Sequence, residues 1–163
     1  MQGQTPWPPL TAVGLQQAHA AAERLAASDP RRLLTSDLCR AAQSASVIAD
    51  RLSLRVETTP LLRERCWGIY EGRPILDGHL CEAKLWPFER LPKGESREDV
   101  ADRVRKLVAG IAEPGPVVLV THGDVIREAV ALFSRRFAPA HSLDNGSVVR
   151  LLLPTATTGC RSR

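Results

Sequence analysis

A continuous apolar run, Val117-Val118-Leu119-Val120, constrains the fold more than any other feature of this 163-residue sequence. Pro116 precedes the run, and Thr121-His122-Gly123 follows it. An uninterrupted apolar strand is typical of a sheet that is covered on both faces, as parallel sheets are. We therefore expect this run to form a strand that is buried on both faces and leads directly into a helix.

The rest of the chain alternates between helical and strand patterns. Helices are predicted at about residues 12–27, 38–52, 97–112 and 124–134, and strands at 32–35, 54–57, 117–120 and 148–153. Residues 60–95 are irregular, apart from a helical turn or two near 79–88, and a stretch of this kind is typical of a segment that covers a substrate. The alternation predicts an α/β fold with a mainly parallel sheet, in a single domain over residues 1–153 with a polar tail at 154–163.

Composition narrows the classes of function. No apolar run approaches the ~20 residues of a membrane span and no leader pattern is found, so we expect no membrane partner and a cytoplasmic location. The net charge of +4 comes from scattered basic residues with few aromatic ones, which favours an anionic small molecule over nucleic acid. The four cysteines lack C-x-x-C and zinc-ligand spacing, so neither a metal nor a disulfide is expected.

Polar side chains follow two of the predicted strands, at the carboxyl ends where open α/β sheets bind ligands. His122 precedes a helix whose N-terminal amides favour an anion. Arg40 falls in the first turn of its helix, where the positive end of the helix dipole disfavours a cation. A cation in that place serves a ligand or a carboxylate, so both residues are candidates for one anion site. A structural imidazole and a surface salt bridge are their respective alternatives.

Six short motifs, in order from about residue 3 to residue 153, resemble those of the histidine phosphatase (phosphoglycerate-mutase-like) superfamily. In the family's letters they are P-L-T-x-x-G-x-x-Q-A at residues 9–18, S-D-L-x-R-A-x-Q-T-A at 36–45, L-x-E-x-x-x-G-x-x-E-G at 62–72, G-E-S-x-x-D-x-x-x-R at 94–103, V-T-H-G at 120–123 and N-G-S at 145–147. Each motif is weak alone, whereas all six in the same order make the resemblance specific.

The resemblance implies a three-layer α/β/α sandwich and a phosphomonoester hydrolase that acts on a small phosphorylated metabolite without a cofactor or metal. It implies that Arg40 and His122, with Gly123, hold the phosphoryl oxygens. It also implies that Glu64 protonates the leaving oxygen and then activates water, which requires a raised pKa. A surface ion pair with the neighbouring arginines is the alternative for Glu64.

The family's first strand delivers R-H-G, whose histidine becomes phosphohistidine, and no Arg-His-Gly occurs among the 163 residues. In one alignment, residues 1–7 take the place of R-H-G-Q-T-x-W, with Gln2 at the position of the nucleophile. In the other, residues 2–5 match the loop before P-L-T and the first strand lies upstream. The second is favoured because that loop often carries Q-G. In either case His19 is expected at the surface.

Three functions therefore stay open from the sequence. The first is a phosphomonoesterase that is truncated or degenerate at its nucleophile. The second is a pseudoenzyme that binds a phosphate ligand or a partner, and the third is acid/base chemistry on other substrates, as in an isomerase or lyase. The short irregular segment at 73–93 favours a phosphatase over a mutase. A missing strand would open a sheet edge, which predicts pairing with another segment or a homodimer.

Overall fold

The structure is a computed structural model that describes residues 2–73, 90–111, 115–134 and 143–153. In these ranges, helices and strands alternate along the chain: α1 (Ala12–Ala26), β1 (Arg32–Thr35), α2 (Cys39–Leu52), β2 (Val56–Thr58), α3 (Arg97–Ala109), β3 (Val117–Val120) and α4 (Gly123–Phe133). Two short 3-10 turns, Pro60–Leu62 and Gly68–Tyr70, lie between β2 and α3. The α/β prediction is confirmed.

The three strands form one parallel sheet in the order β2-β1-β3. Leu33 in the central strand is in register with Val56 on one side and Val118 on the other. The apolar run of β3 pairs with β1 and forms one edge of the sheet within the described residues. Among the described residues, no strand pairs with the other edge of β3 and none precedes α1.

Consecutive side chains of β1 enter different cores, because successive residues of a strand point to opposite faces. Leu33 packs on one face with residues of α1 and α2, including Ala22 and Ile48. Leu34 packs on the other face with residues of α3 and α4, including Val104 and Val125. Two helical layers thus enclose the sheet, which confirms the three-layer α/β/α architecture.

Local capping explains where the first and third helices begin. The Thr11 hydroxyl accepts a hydrogen bond from the Gly14 amide at 3.1 Å and starts α1. In α3, the Ser96 hydroxyl accepts from the Asp99 amide while the Asp99 carboxylate accepts from the Ser96 amide. This reciprocal pair is a capping box, which satisfies backbone amides at the start of the helix.

Helix α4 begins differently, because the side chain of its N-cap residue, His122, forms no capping hydrogen bond. Instead, the Asp124 amide donates to Oε1 of Glu64 at 3.3 Å, from a residue far away in the chain. The first amides of a helix have no partner within it. A carboxylate brought in by tertiary folding therefore serves one of them.

The connections after β1 and β3 leave the sheet on opposite faces. From β1 the chain enters α2, which packs in the Leu33 core, and from β3 it enters α4, which packs in the Leu34 core. Such a divergence between neighbouring parallel strands opens a crevice at their carboxyl ends. This crevice is where the sequence placed the candidate residues.

Some predicted elements differ from the structure. The predicted strand at 148–153 is wrong, since this segment pairs with no strand of the described residues and exposes Val148, Val149 and Leu152. Its apolar content suits a strand, but a strand also needs a neighbour for its backbone groups. The helical turn near 79–88 and the polar tail at 154–163 lie outside the described residues. None of the described helices is long and apolar enough to cross a membrane.

Candidate active site

The crevice brings together the candidate side chains that were predicted from separate motifs. Arg40 is in the first turn of α2, His122 follows β3, and Glu64 lies in the loop after Pro60–Leu62. All three line the same open cavity of about 2130 Å³, together with Gly123. The topology therefore assembles one polar site from three distant segments.

Arg40 is half-buried and holds the loop that precedes α1. Its Nη1 donates to the carbonyl of Thr5 at 3.1 Å, and its Nη2 donates to the carbonyl of Gly3 at 2.7 Å. A guanidinium has five N–H donors in a planar fork, and these two bonds use two of them. Arg40 therefore anchors the loop and keeps donors for an anion.

Gly3 occupies a place that other residues do not fit. Its φ is +50°, and a Cβ there would lie 2.4 Å from Oε1 of Glu71. That oxygen also accepts hydrogen bonds from the amides of Gln4 at 2.9 Å and Trp67 at 3.1 Å. The close approach of Gly3 to Glu71 lets the loop lie against the site.

Glu64 is a carboxyl held by backbone amides. Its Oε1 accepts from the Arg65 amide at 2.9 Å and from the Asp124 amide at 3.3 Å. Burial, and then the charge of Asp124, raise the pKa of Glu64 from 4.5 to about 7. Both protonation states are thus accessible near neutral pH, as a group that gives and takes a proton requires. The surface ion pair considered for Glu64 is not what the structure shows.

His122 is only 9% exposed and its ring is neutral at physiological pH. Burial lowers its pKa to about 3, and the nearby charges of Arg40 and Arg103 act in the same direction. Its Nε2 is buried without a hydrogen-bond partner in the described part of the chain. An unpartnered buried nitrogen of this kind calls for an explanation such as a ligand.

Gly123 is the first residue of α4, at the positive end of the helix dipole. A Cβ at this position would lie 3.2 Å from Nη1 of Arg127, so a larger residue would press on that guanidinium. The amides at the start of α4 point towards the crevice end of the helix. The predicted contact of Gly123 with phosphate stays a prediction.

An ion pair that the sequence reasoning missed fixes the loop of Glu64. Arg103 of α3 forms two hydrogen bonds with Glu95, at 2.8 Å and 2.9 Å, and also donates to the carbonyls of Leu61 and Arg63. Both residues stand in the fourth motif, G-E-S-x-x-D-x-x-x-R. Their place in this motif was the sequence signal that they matter. Their role in fixing the Glu64 loop could not be predicted, because the sequence does not show which loop packs against α3.

Asp124 was also missed, although it directly follows the Val-Thr-His-Gly motif. Its side chain is buried and its charge acts on Glu64. The other residues considered from the sequence lie outside this group. His19 is exposed on α1, as expected, and Cys39 and Cys66 are half-buried free thiols. In the described ranges, no group of three or more His, Cys, Asp or Glu residues is placed to hold a metal ion.

Nearly the whole sequence matches a known family, and about three quarters of it matches curated members of that family. The family described as "Histidine phosphatase superfamily (branch 1)" matches residues 1–161. The chain is 37% identical over 134 residues to the Yersinia enterocolitica serotype O:8 protein named "Probable phosphoglycerate mutase GpmB", a match that covers 76% of this chain and 61% of that protein. The chain thus spans about three fifths of the length of the curated relatives that it matches.

Solved structures give the same result for the fold. The mycobacterial glucosyl-3-phosphoglycerate phosphatase Rv2419c is 36% identical, with a TM-score of 0.73 over 83% of this chain and 74% of that one. The phosphoglycerate mutase from Thermus thermophilus is 29% identical, with a TM-score of 0.69 over 94% of this chain and 90% of that one. The mycobacterial phosphatase has also been solved with inorganic phosphate and with VO3.

Proposed function

Since this chain belongs to the histidine phosphatase superfamily, branch 1, we propose that it binds small phosphomonoesters at the site of Arg40, His122 and Glu64 and acts as a phosphomonoester hydrolase. The observation that carries the proposal is the buried Nε2 of His122, which has no partner among the described residues. It lies where a cation and a proton-exchanging carboxyl also meet. A phosphoryl oxygen would supply the missing partner.

The roles of the three side chains follow from their chemistry. Arg40 offers a charged planar fork to two phosphoryl oxygens, and charge-assisted hydrogen bonds of this kind are stronger than neutral ones. The neutral ring of His122 donates one further hydrogen bond. When a nucleophile bonds to phosphorus and the ester P–O bond breaks, Glu64, with a pKa of about 7, gives its proton to the departing ester oxygen.

The nucleophile is the part of the reaction that these residues do not supply. The family resemblance assigns it to the histidine of R-H-G, and that motif does not occur in the 163 residues. In a second candidate function, the same residues bind a phosphorylated ligand without turnover, with the unpartnered Nε2 of His122 as a contact. Acid/base chemistry by His122 and Glu64 on another substrate is the third.

The substrate class is a small organic phosphate. Two relatives are named for phosphoglycerate mutase and for glucosyl-3-phosphoglycerate phosphatase, so phosphorylated glycerates and sugars are the first compounds to try. A phosphatase is favoured over a mutase because the segment at 73–93 is short. We also propose the cytoplasmic location and the homodimer that were expected from the sequence.

Oxyanion binding and turnover test the proposal together. Phosphate and vanadate are titrated calorimetrically into the chain, into His122→Ala, and into His19→Ala as a histidine control on the exposed face of α1. We expect saturable binding by the chain and the control, and binding weaker by about tenfold or more in His122→Ala, since the loss of a charge-assisted contact costs on the order of 1.4 kcal/mol or more.

Hydrolysis of an aryl phosphate is measured on the same three proteins. Hydrolysis that disappears only in His122→Ala supports the hydrolase. Saturable binding without hydrolysis overturns the hydrolase and supports the ligand-binding alternative. If the chain binds neither oxyanion, the phosphoryl site itself is wrong and the third function is left.

A further inference from the structure

A second buried carboxyl lies next to Glu64. Asp124 is 6% exposed and sits in the first turn of α4, where its amide donates to Oε1 of Glu64 at 3.3 Å. Its Oδ1 accepts a hydrogen bond from Nη1 of Arg127 at 2.8 Å. Its Oδ2 is buried and has no partner within the described ranges. The site thus contains two adjacent buried carboxyls with different partners.

The partners differ in charge. Asp124 forms an ion pair with Arg127, whereas the hydrogen bonds given for Glu64 come from the neutral amides of Arg65 and Asp124. Two neighbouring carboxyls do not both ionise readily in a buried site, because each negative charge disfavours the other. The single charge goes to the carboxyl that has the better cation, and the proton goes to the other one.

Resting on the function proposed above, we propose that Asp124 is a positioning residue that keeps the proton on Glu64, because Arg127 fixes the single negative charge of the pair on Asp124. Asp124 need not touch the substrate. Its effect is exerted through the charge beside Glu64 and through the amide that orients the Glu64 carboxyl. The proton that Asp124 keeps on Glu64 is the one that Glu64 transfers to the ester oxygen.

Other charged groups face the pair from the surrounding elements. They are Arg40 of α2, Arg65 of the loop that carries Glu64, and Arg127 and Glu128 of α4. Arg40 favours an ionised Glu64, and Arg65 favours an ionised Asp124. Glu128 pairs with Arg97 of α3, and its charge disfavours an ionised Asp124. Two cations and one anion therefore act on Asp124, and Arg127 is the one that bonds to its carboxylate.

The proton affinities agree with this division. Burial and Asp124 together raise the pKa of Glu64 to about 7. Burial also raises the pKa of Asp124, while Arg127 and Arg65 oppose that rise. Two carboxyls that interact this strongly release their protons as a pair. A change at Asp124 should therefore be visible in the titration of Glu64.

The test follows the Glu64 proton directly. The side-chain carboxyl carbon of Glu64 is titrated by NMR in the full chain, in Asp124→Asn, and in Asp102→Asn, a control on the exposed face of α3. Asn keeps the size of Asp and the backbone amide but removes the charge. We expect a midpoint near pH 7 in the chain and the control, and a fall of about one pH unit in Asp124→Asn.

A second variant guards against misfolding of the first. Arg127→Met keeps the carboxyl of Asp124 but removes the cation that fixes its charge, so we expect the Glu64 midpoint to fall here too as the proton passes to Asp124. Backbone NMR spectra of each variant report whether it has folded. An unchanged midpoint in a folded Asp124→Asn or a folded Arg127→Met overturns the proposal.

The outcome is separable from that of the proposed function, because the titration needs neither ligand nor turnover. A Glu64 midpoint that depends on Asp124 in a chain that binds no oxyanion would sink the phosphoryl function and leave the role of Asp124 standing. Oxyanion binding with a midpoint indifferent to Asp124 would do the reverse. A purely structural role would lower stability in Asp124→Asn without moving the Glu64 midpoint.

Discussion

Glu64 and His122 depart from their ordinary proton affinities in directions that have opposite effects on the pH dependence of stability. The pKa of Glu64 rises to about 7, so the folded chain keeps a proton that the unfolded chain releases above about pH 4.5. The pKa of His122 falls to about 3, so the folded ring stays neutral where the unfolded ring takes a proton below about pH 6.5. Both groups are uncharged in the folded state over the interval between these ordinary values.

The signs of the two contributions follow from proton linkage. The contribution of Glu64 is fully present below pH 4.5 and is lost as the pH rises through about 7. The contribution of His122 is present above pH 6.5 and is lost as the pH falls towards about 3. Between about pH 4.5 and pH 6.5 the two trends partly cancel, so the pH profile of the whole protein understates each of them.

Replacing Glu64 by Gln should expose its share of this profile. Between about pH 4.5 and pH 8 we expect the free energy of unfolding of the chain to fall, relative to that of Glu64→Gln, by an amount on the order of 2 kcal/mol. Urea denaturation across this range measures the difference. Glu57→Gln is the control, because Glu57 is exposed and Arg32 holds its pKa below the ordinary value. Parallel profiles for the chain and Glu64→Gln would show that the carboxyl is not held protonated.

At the scale of elements, the site depends on contacts that join one segment to another. Glu64 lies in an irregular loop, yet its carboxylate serves an amide at the start of α4 and its backbone is tied to α3 through Arg103. Arg103 binds the carbonyls of this loop and the carboxylate of Glu95 together. The loop is therefore ordered by a helix that supplies no candidate catalytic residue.

Replacing Arg103 by Met should destabilise the protein far more than the same change at Arg105, although both lie on α3. Arg103 pairs with Glu95 where the two side chains are 17% and 19% exposed, and removal of one partner from a mostly buried pair costs about 3 kcal/mol. Arg105 forms ion pairs with exposed partners, so its loss should cost under about 1 kcal/mol. Urea midpoints of the two variants decide this, and equal losses would contradict the assigned role of Arg103.

At the scale of the whole molecule, the sheet joins two cores that Leu33 and Leu34 enter from one strand. Because neighbouring residues of β1 support both helical layers, neither layer can lose its packing without disturbing the other. The single domain over residues 1–153 stays a prediction from the sequence. The arrangement of the two cores also means that the part of the cavity with Arg40 and His122 spans both layers.

Substitution of Leu33 by Ala tests whether the two layers unfold together. The side chain is fully buried, so we expect a loss of about 2–5 kcal/mol. We also expect one transition with the same midpoint by circular dichroism and by tryptophan fluorescence. Val56→Ala, at a half-exposed position of β2, is the control and should cost much less. Two separate transitions in Leu33→Ala would show that the layers behave as independent units.

The sequence predicted what depends on local pattern and missed what depends on distant contacts. The apolar run of β3 and the helices around it were predicted because burial and capping leave marks at neighbouring positions. Arg40 was found because a cation in the first turn of a helix is unusual. Asp124 and Arg103 were missed because their partners, Glu64 and Glu95, come from other segments. The prediction of a strand at 148–153 was wrong for the same reason, since a sequence pattern does not show whether another strand lies beside the segment.

The divergence of the chain after β1 and β3 has a mechanical consequence. Arg40 belongs to α2 on one side of the sheet, and His122 is the N-cap of α4 on the other. An oxyanion bound by both residues would therefore bridge the two helical layers and hold them together. Binding of the oxyanion would raise the free energy of unfolding of the whole fold. The increase would grow with the logarithm of the ratio of ligand concentration to dissociation constant.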